Sequence, residues 1–302
     1  MNFRVPHAAR TGALAAGALT AAAGALAQPN ADEVTIKSTR VAGNVYMLEG
    51  RGGNMGVCIG PDGVLLIDDQ FAPLAEKIRA ALRDLDPGPL EFILNTHYHG
   101  DHVGGNPVFG KEGTIIAHEN VRKRVSARQE GGERVREALD PAGWPVVTFK
   151  ESVTLHFNGE DIRFVHLPAG HTDGDGIVHF PKANVVHMGD LMFSGRFPYI
   201  DTDGGGTVDG YADNLAWVLD NLPPDAKVIP GHGPLCTMED VKGLRDMIVE
   251  TRELVRAQVK AGKSIDQIKQ AGLPEKYKAL ESTSITGERW IEALYQSARA
   301  GN

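Results

Sequence analysis

The chain has 302 residues, 42% hydrophobic and 23% charged, the balance of a globular protein rather than of a disordered or fibrous one. Its 31 Lys and Arg against 39 Asp and Glu leave a net charge of -8, and no basic run is longer than Arg122, Lys123 and Arg124, which argues against nucleic acid as a partner. Two cysteines, Cys58 and Cys236, exclude a disulfide framework and a thiolate metal site. Any metal must be held by histidines and carboxylates.

Residues 1–27 carry Arg4 and Arg10 but no acid, then a small apolar run from Thr11 to Leu26 that ends Ala25-Leu26-Ala27 before Gln28. That pattern predicts a secretory signal peptide cut after Ala27. The apolar run is about 16 residues, short of the roughly 20 that cross a bilayer, so no stable membrane anchor is expected. No Arg-Arg pair marks a twin-arginine route. Removing the two arginines takes the net charge to -10, and the expected product is exported and, in a Gram-negative cell, periplasmic. Residues 28–302 are expected to form one domain, with a core over about 40–235 and a helical tail over 237–302.

Short apolar runs follow: Val34 to Val41, Asn44 to Leu48, Met55 to Ile59, and Val64 to Ile67 after the turn Gly60-Pro61-Asp62-Gly63. They predict a strand meander. Leu74, Ile78, Ala81, Leu82 and Leu85 recur at helical spacing within Pro73 to Asp86, and Pro87-Gly88-Pro89 stops that helix. A buried strand is expected at Phe92-Ile93-Leu94. The same grammar then predicts a strand at Thr114 to Ala117, a helix over Glu119 to Gln129, strands near Val146, Val153, Ile162, Ile177 and Val185-Val186, a helix over Tyr211 to Leu222 and a strand at Lys227 to Ile229. Arg128 to Trp144, charged and containing Gly131-Gly132, reads as a mobile connection. From Thr237 the apolar stripe Val241, Leu244, Ile248, Thr251, Leu254, Val255 and Val259 predicts a long helix packed on the same core, with further helices at Ser264 to Ala271 and Glu288 to Ala300. Strand runs punctuated by amphipathic helices suggest sheets covered by helices.

The stretch Asn95-Thr96-His97-Tyr98-His99-Gly100-Asp101-His102 follows the apolar strand directly. Three imidazoles and a carboxylate within six residues, on a Gly-rich loop at a strand end, can converge on one cation, and zinc and iron both favour imidazole with carboxylate. A lone histidine there would more often be a cap or a surface group. Three more candidates lie on Gly-flanked loops just past predicted strands: His171 in Pro168-Ala169-Gly170-His171-Thr172, Asp190 in His187-Met188-Gly189-Asp190, and His232 in Pro230-Gly231-His232-Gly233. Rigid sheets present functional side chains at such places.

The ordered set H-x-H-x-D-H at 97–102, Gly-His-Thr at 170–172, Gly-Asp at 189–190 and Pro-Gly-His-Gly at 230–233 resembles the metallo-β-lactamase superfamily. The resemblance covers about residues 40–235 and implies an α/β fold, a four-layer αββα sandwich with the site at one edge of the sheets and a helical C-terminal tail. It implies two cations, zinc with iron or manganese as alternatives: His97, His99 and His171 on the first, Asp101, His102 and His232 on the second, and Asp190 between them. Secreted metallo-β-lactamases of the first subclass have Cys in place of Asp190 and a Lys soon after; here Leu191 to Arg196 contains no Lys. The bridging Asp resembles glyoxalase II, lactonases and generic hydrolases more, yet the tail lacks a glutathione-binding signature, and the run from Gly170 to Pro181 resembles the exported β-lactamase-like branch.

The implied activity is hydrolysis of a small-molecule amide or ester carbonyl by water activated between two cations, with Asp101 orienting the water or handling a proton. A β-lactam ring is the leading substrate, and a lactone or a glyoxalase II-like thioester the alternative. No Gly-x-Ser-x-Gly competes with this chemistry. An iron-dependent persulfide dioxygenase using His97, His99 and His171 is the alternative of another class, and a metal-dependent binding protein a third. Arg196 and Tyr199, beside the glycine run Gly204-Gly205-Gly206, are the candidate substrate contacts, with Arg196 proposed for a substrate carboxylate. His118 reads as a helix start; His156, His166, His179 and His187 read as strand packing or surface groups. Cys58 reads as a buried small hydrophobe, and nothing in the sequence supports its pairing with Cys236.

Overall fold

The computed structural model describes residues 31–86, 88–131 and 134–300, and the signal peptide expected at 1–27 lies outside them. The first strands, β1 (Lys37–Ala42), β2 (Val45–Glu49), β3 (Met55–Gly60) and β4 (Gly63–Ile67), form the antiparallel meander that the short apolar runs predict. Helix α1 (Ala75–Leu85) then carries the chain to β5 (Leu90–Asn95), which lies parallel to β4. Two short helices, α2 (Gly100–Val103) and α3 (Asn106–Phe109), lead to β6 (Thr114–His118). Helix α4 (Glu119–Val125) follows, then a ribbon of β7 (Gln129–Gly131) and β8 (Arg134–Arg136), and β9 (Val147–Phe149) completes a seven-stranded sheet ordered β1-β2-β3-β4-β5-β6-β9.

The second sheet holds six strands in chain order: β10 (Ser152–Phe157), β11 (Glu160–His166), β12 (Gly176–Phe180), β13 (Val185–His187), β14 (Lys227–Ile229) and β15 (Cys236–Thr237). All neighbours are antiparallel except β13 and β14, which are joined by helix α5 (Val208–Asn221). Helices α6 (Met238–Lys260), α7 (Ile265–Ala271) and α8 (Gly287–Ala300) end the chain.

Strand alternation explains why continuous apolar runs, rather than alternating ones, build these sheets. In β4, Leu65 and Ile67 pack toward the second sheet, against Phe164, Val178 and Ile229, while Val64 and Leu66 pack the other way, with Ile78 and Leu82 of α1. In the second sheet Val178, Val185 and Ile229 face the first sheet, and Ile177, Val186 and Val228 face helices α5, α6 and α8. The central strands are covered on both faces and so are apolar at nearly every position, as in β4 and β12, whereas the outer strands β1 and β10 leave alternate or successive residues exposed. The result is the αββα sandwich implied by the motif. The tail packs on this body: Val241, Ile248 and Val255 of α6 and Trp290, Ile291 and Leu294 of α8 join the cluster under the second sheet.

Three local expectations are corrected. Within Arg128 to Trp144 the described residues form the β7–β8 ribbon and a turn at Pro141–Gly143, and Leu139 N donates to Val125 O at 2.9 Å. That turn back toward α4 also ends the helix at Val125, short of Gln129. Helix α5 begins at Val208, earlier than Tyr211, because Thr207 caps it by accepting from Gly210 N. Cys58 and Cys236 are free and buried, one between the sheets and the other under the helices. Among the described residues no helix is long and apolar enough to cross a membrane.

Candidate metal centre

At one edge of the sandwich the ends of β4, β5, β13 and β14 meet the loop after β11, and backbone hydrogen bonds tie the two sheets there. Asn54 N donates to Gly231 O at 2.7 Å and Gly176 N to Thr96 O at 2.8 Å. The loop after β5 delivers His97, His99, Asp101 and His102, the last two on the single turn of α2. His171 comes from the loop after β11, Asp190 from the turn after β13 and His232 from the loop after β14.

All seven candidate ligands come together, in two groups. His97, His99, His171 and Asp190 form one, Asp101, His102 and His232 the other, and within each group the ligand atoms lie within 4.8 Å of one another. Asp190 reaches both groups. Its Oδ2 lies 3.4 Å from His171 Nε2 and 3.7 Å from His97 Nε2, whereas its Oδ1 lies 3.1 Å from His102 Nε2 and 3.4 Å from His232 Nε2. Asp101 Oδ2 sits 3.3 Å from His232 Nε2. The Nε2 atoms of His97 and His102 and Oδ1 of Asp190 are buried and make no hydrogen bond, an arrangement costly for a protein unless a further group satisfies them. A pair of cations fits this donor set: imidazole nitrogens and carboxylate oxygens face inward, while the second ring nitrogens of His97, His99, His102 and His171 are held by Thr96 Oγ1, Asp201, Asp68 and the Tyr199 carbonyl.

The electrostatics follow from packing acids and imidazoles together. Burial opposes charge on Asp190, but His232, His102, His97 and His171 outweigh it and hold the carboxylate well below its ordinary range. Burial pushes His97 well down and His171 down to about 4, so both stay neutral and keep a lone pair. Burial likewise opposes charge on His232, yet Asp190 and Asp101 push it up to about 9. Burial also works against ionisation of Asp101, but His102 and His232 bring it to about 2, so it is an acceptor throughout the working range.

The metallo-beta-lactamase superfamily model matches residues 39–232, more than half of the chain. The chain belongs to the metallo-beta-lactamase superfamily. It is therefore a metal-dependent hydrolase by family. A protein of Aquifex aeolicus (strain VF5) without a named activity is 29% identical over 160 residues, covering 52% of this chain and 74% of that one. Metallo-beta-lactamase type 2 of Bacteroides fragilis is 24% identical over 170 residues (56% and 61%), and a hydroxyacylglutathione hydrolase of a Synechococcus strain is 29% identical over 149 residues (49% and 50%). The chain thus spans only half to three quarters of these relatives' lengths. Among solved structures, the metallo-beta-lactamase from Pontibacter korlensis has a TM-score of 0.61 at 16% identity, covering 71% of this chain and 99% of that one. The sec-alkylsulfatase Pisa1 from Pseudomonas sp. has a TM-score of 0.66 at 17% identity, covering 86% and 50%. These likenesses establish the fold.

The two candidate substrate contacts fare differently in this superfamily member. Tyr199 stands at the rim, 45% exposed, with its ring 6.0 Å from that of His99 and 5.8 Å from that of His171. Arg196 is half-buried, and among the described residues no hydrogen bond or ion pair links it to the cluster. Phe193 stacks on His232, ring centroids 5.3 Å apart.

Sequence reading overlooked the residues that hold the ligands. Asp68, at the end of β4, lies 2.7 Å from His102 Nδ1 and accepts from Thr96 N and Oγ1. Those three contacts hold Asp68 in a left-handed conformation, φ 59°, which a non-glycine residue adopts only under tertiary constraint. Asp201 takes His99 Nε2 at 2.7 Å, and the Tyr199 carbonyl takes His171 Nδ1 at 2.8 Å. Asp68 carried a signal, since it ends an apolar strand as Asp190 does. His118 is indeed a helix start, its Nδ1 accepting from Asn120 N, and His187 is buried with Nε2 3.1 Å from Asn54 O.

Proposed function

We propose that this superfamily member is a dinuclear zinc hydrolase acting on a strained or activated carbonyl, with a β-lactam ring the leading substrate and a lactone or thioester the alternatives. One observation carries the two-metal part: the two oxygens of Asp190 each face a different ligand group. When bound, the cations would acidify a water and polarise the carbonyl. The chain's own residues do the rest. Asp190 fixes the spacing of the two groups, and Asp101, ionised and half-buried, is placed to accept a proton beside His232. Phe193 and Tyr199 wall the open side and keep a small substrate against the cluster. The resemblance to the Bacteroides enzyme favours a β-lactam, whereas an Asp at 190 and the likeness to the hydroxyacylglutathione hydrolase keep ester and thioester substrates in view. Export to the periplasm, inferred from residues 1–27, would place the enzyme where β-lactams arrive.

The test is metal analysis of the purified chain, then a hydrolysis panel of β-lactams, lactones and thioesters on the zinc-loaded protein. Two zincs with turnover of one class is the expected result. A single iron with oxidation of a persulfide would replace hydrolysis by the redox alternative.

A further inference from the structure

Two of the three histidines in the first group are steadied from one short segment, residues 199–206. Tyr199 offers its carbonyl to His171, and Asp201 divides its carboxylate, Oδ2 to His99 Nε2 at 2.7 Å and Oδ1 to Gly204 N at 2.9 Å. The segment is itself laced to the loop that bears His171: Asp201 N donates to His171 O at 3.0 Å and Asp173 N to Gly204 O at 2.9 Å. It approaches so closely that a Cβ on Gly206 would lie 2.2 Å from His171 O. The second group makes no such use of it, because His102 leans on Asp68 at the end of β4.

Tyr98, the spacer between the first two histidines of the motif, completes the arrangement. Its hydroxyl donates to the same Asp201 Oδ2 at 2.5 Å, and its buried ring is covered by the guanidinium groups of Arg124 at 4.9 Å and Arg136 at 4.7 Å. Arg124 is in turn locked by a two-pronged pair with Asp173. Asp201 Oδ2 therefore has two donors on it, one from Tyr98 and one from His99, and cannot swing away without losing both.

We propose that Tyr98 and Asp201 form a positioning pair for His99, and that through them the 199–206 segment sets the metal affinity of the first group independently of the second. This rests on the two-metal proposal above. His99 must turn Nδ1 inward, toward His171 Nε2 2.8 Å away, and it can do so as a neutral ligand only if Nε2 carries the proton and has an acceptor. Asp201 is that acceptor, and Tyr98 fixes which of its oxygens is used. The chain two residues before the segment is pinned by the tail, since Phe197 N donates to Leu280 O at 2.9 Å and the Phe197 ring stacks on Trp290.

The experiment is a stepwise cobalt titration of the metal-free full chain against a competing chelator, read by the visible absorption of bound cobalt. His171→Ala identifies the step that belongs to the first group. Asp201→Asn is expected to weaken that step by about 10- to 100-fold and to leave the other within about twofold, Tyr98→Phe to weaken the same step by a smaller factor, and Asp68→Asn to weaken the opposite step. Equal loss in both steps, or no loss in either, overturns the pair. Should Asp201→Asn not fold, Tyr98→Phe removes a single oxygen and decides alone: an unchanged first step refutes the proposal. A wild-type chain that takes only one cobalt refutes the two-metal proposal instead, while the variants still test the pair on the step that His171→Ala removes.

Discussion

The two sheets feed one edge in opposite manners. The first sheet delivers four ligands in a single hexapeptide, His97 to His102, from the end of one strand. The second delivers three, one each from the loops after β11, β13 and β14, at His171, Asp190 and His232. A contiguous cluster fixes its own internal geometry through a few backbone dihedrals. Separate loops fix theirs only through the sheet that spaces them and through close backbone contacts. The second sheet's contribution should therefore tolerate less disturbance of the chain around each ligand.

The largest effect is expected at the one residue that joins the two groups. Asp190→Ala leaves the Nε2 atoms of His97 and His102 facing an apolar methyl, and bound zinc should fall well below two per chain with hydrolysis reduced by orders of magnitude. Elemental analysis and turnover of the best substrate in the panel check this. Two zincs with normal turnover would mean that Asp190 is not the link between the sheets.

Next come two substitutions that touch no ligand by identity. An added Cβ at Gly231 would lie 2.1 Å from Asp190 Oδ1, and one at Gly53 would lie 2.1 Å from His102 Cε1. Neither contact can be made without movement, and overpacking of this kind costs about 1–3 kcal/mol. Both atoms serve the second group, so Gly231→Ala and Gly53→Ala should each hold about one metal in place of two, with a lowered melting temperature. The neighbour of Gly231 is a ligand carboxylate and backbone at Gly189, whereas that of Gly53 is a single ring, so the loss should be greater at Gly231. Equal retention of both metals would show that the loops of the second sheet yield as easily as the first sheet's cluster.

A smaller effect concerns a place where the sheets meet away from the metals. His118 at the end of β6 stacks on His166 at the end of β11, ring centroids 3.7 Å apart. Burial pushes His118 down to about 4, with His166 acting in the same direction, while Glu119 and Asp173 oppose it. The unfolded chain takes up this proton near its ordinary value and the native chain does not. The stability the pair contributes is thus fully present above about pH 6.5 and is lost as pH falls toward 4, by at most about 3 kcal/mol. Denaturant titrations between pH 7 and 4 should show a shallower decline in His118→Asn, which keeps a side chain able to cap α4. An unchanged slope would remove His118 from the account.

The smallest effect is chemical. Burial pushes the Cys58 thiol up to about 12, so a disulfide reagent at pH 8 should label the native chain at Cys58 far more slowly than the denatured chain. Labelling at equal rates would show that the sheets part readily at β3.

Much of the fold could be read from residue patterns because those patterns are local. The run Val64 to Ile67 and the stripe from Val241 to Val259 announce a buried strand and an amphipathic helix through periodicity alone, and the ordered histidine motifs name the superfamily. The ribbon within Arg128 to Trp144 was not legible because charge and glycine describe a ribbon as well as a loose connection. Tyr199 stands beside the rings of His99 and His171, a placement that its distance in sequence from Asp190 does not reveal.

The sequence by itself determined the strand and helix types, the ligand chemistry and the strand ends on which ligands sit. Only the tertiary structure decided what holds those ligands. Asp68 stands 34 positions from His102 and Asp201 stands 102 positions from His99, yet each carboxylate lies 2.7 Å from its imidazole. Periodicity records the preferences of a few neighbouring residues. A carboxylate becomes the support of a particular ring only when two sheets, packed face to face, bring loops of distant origin to one edge and leave that ring no other acceptor.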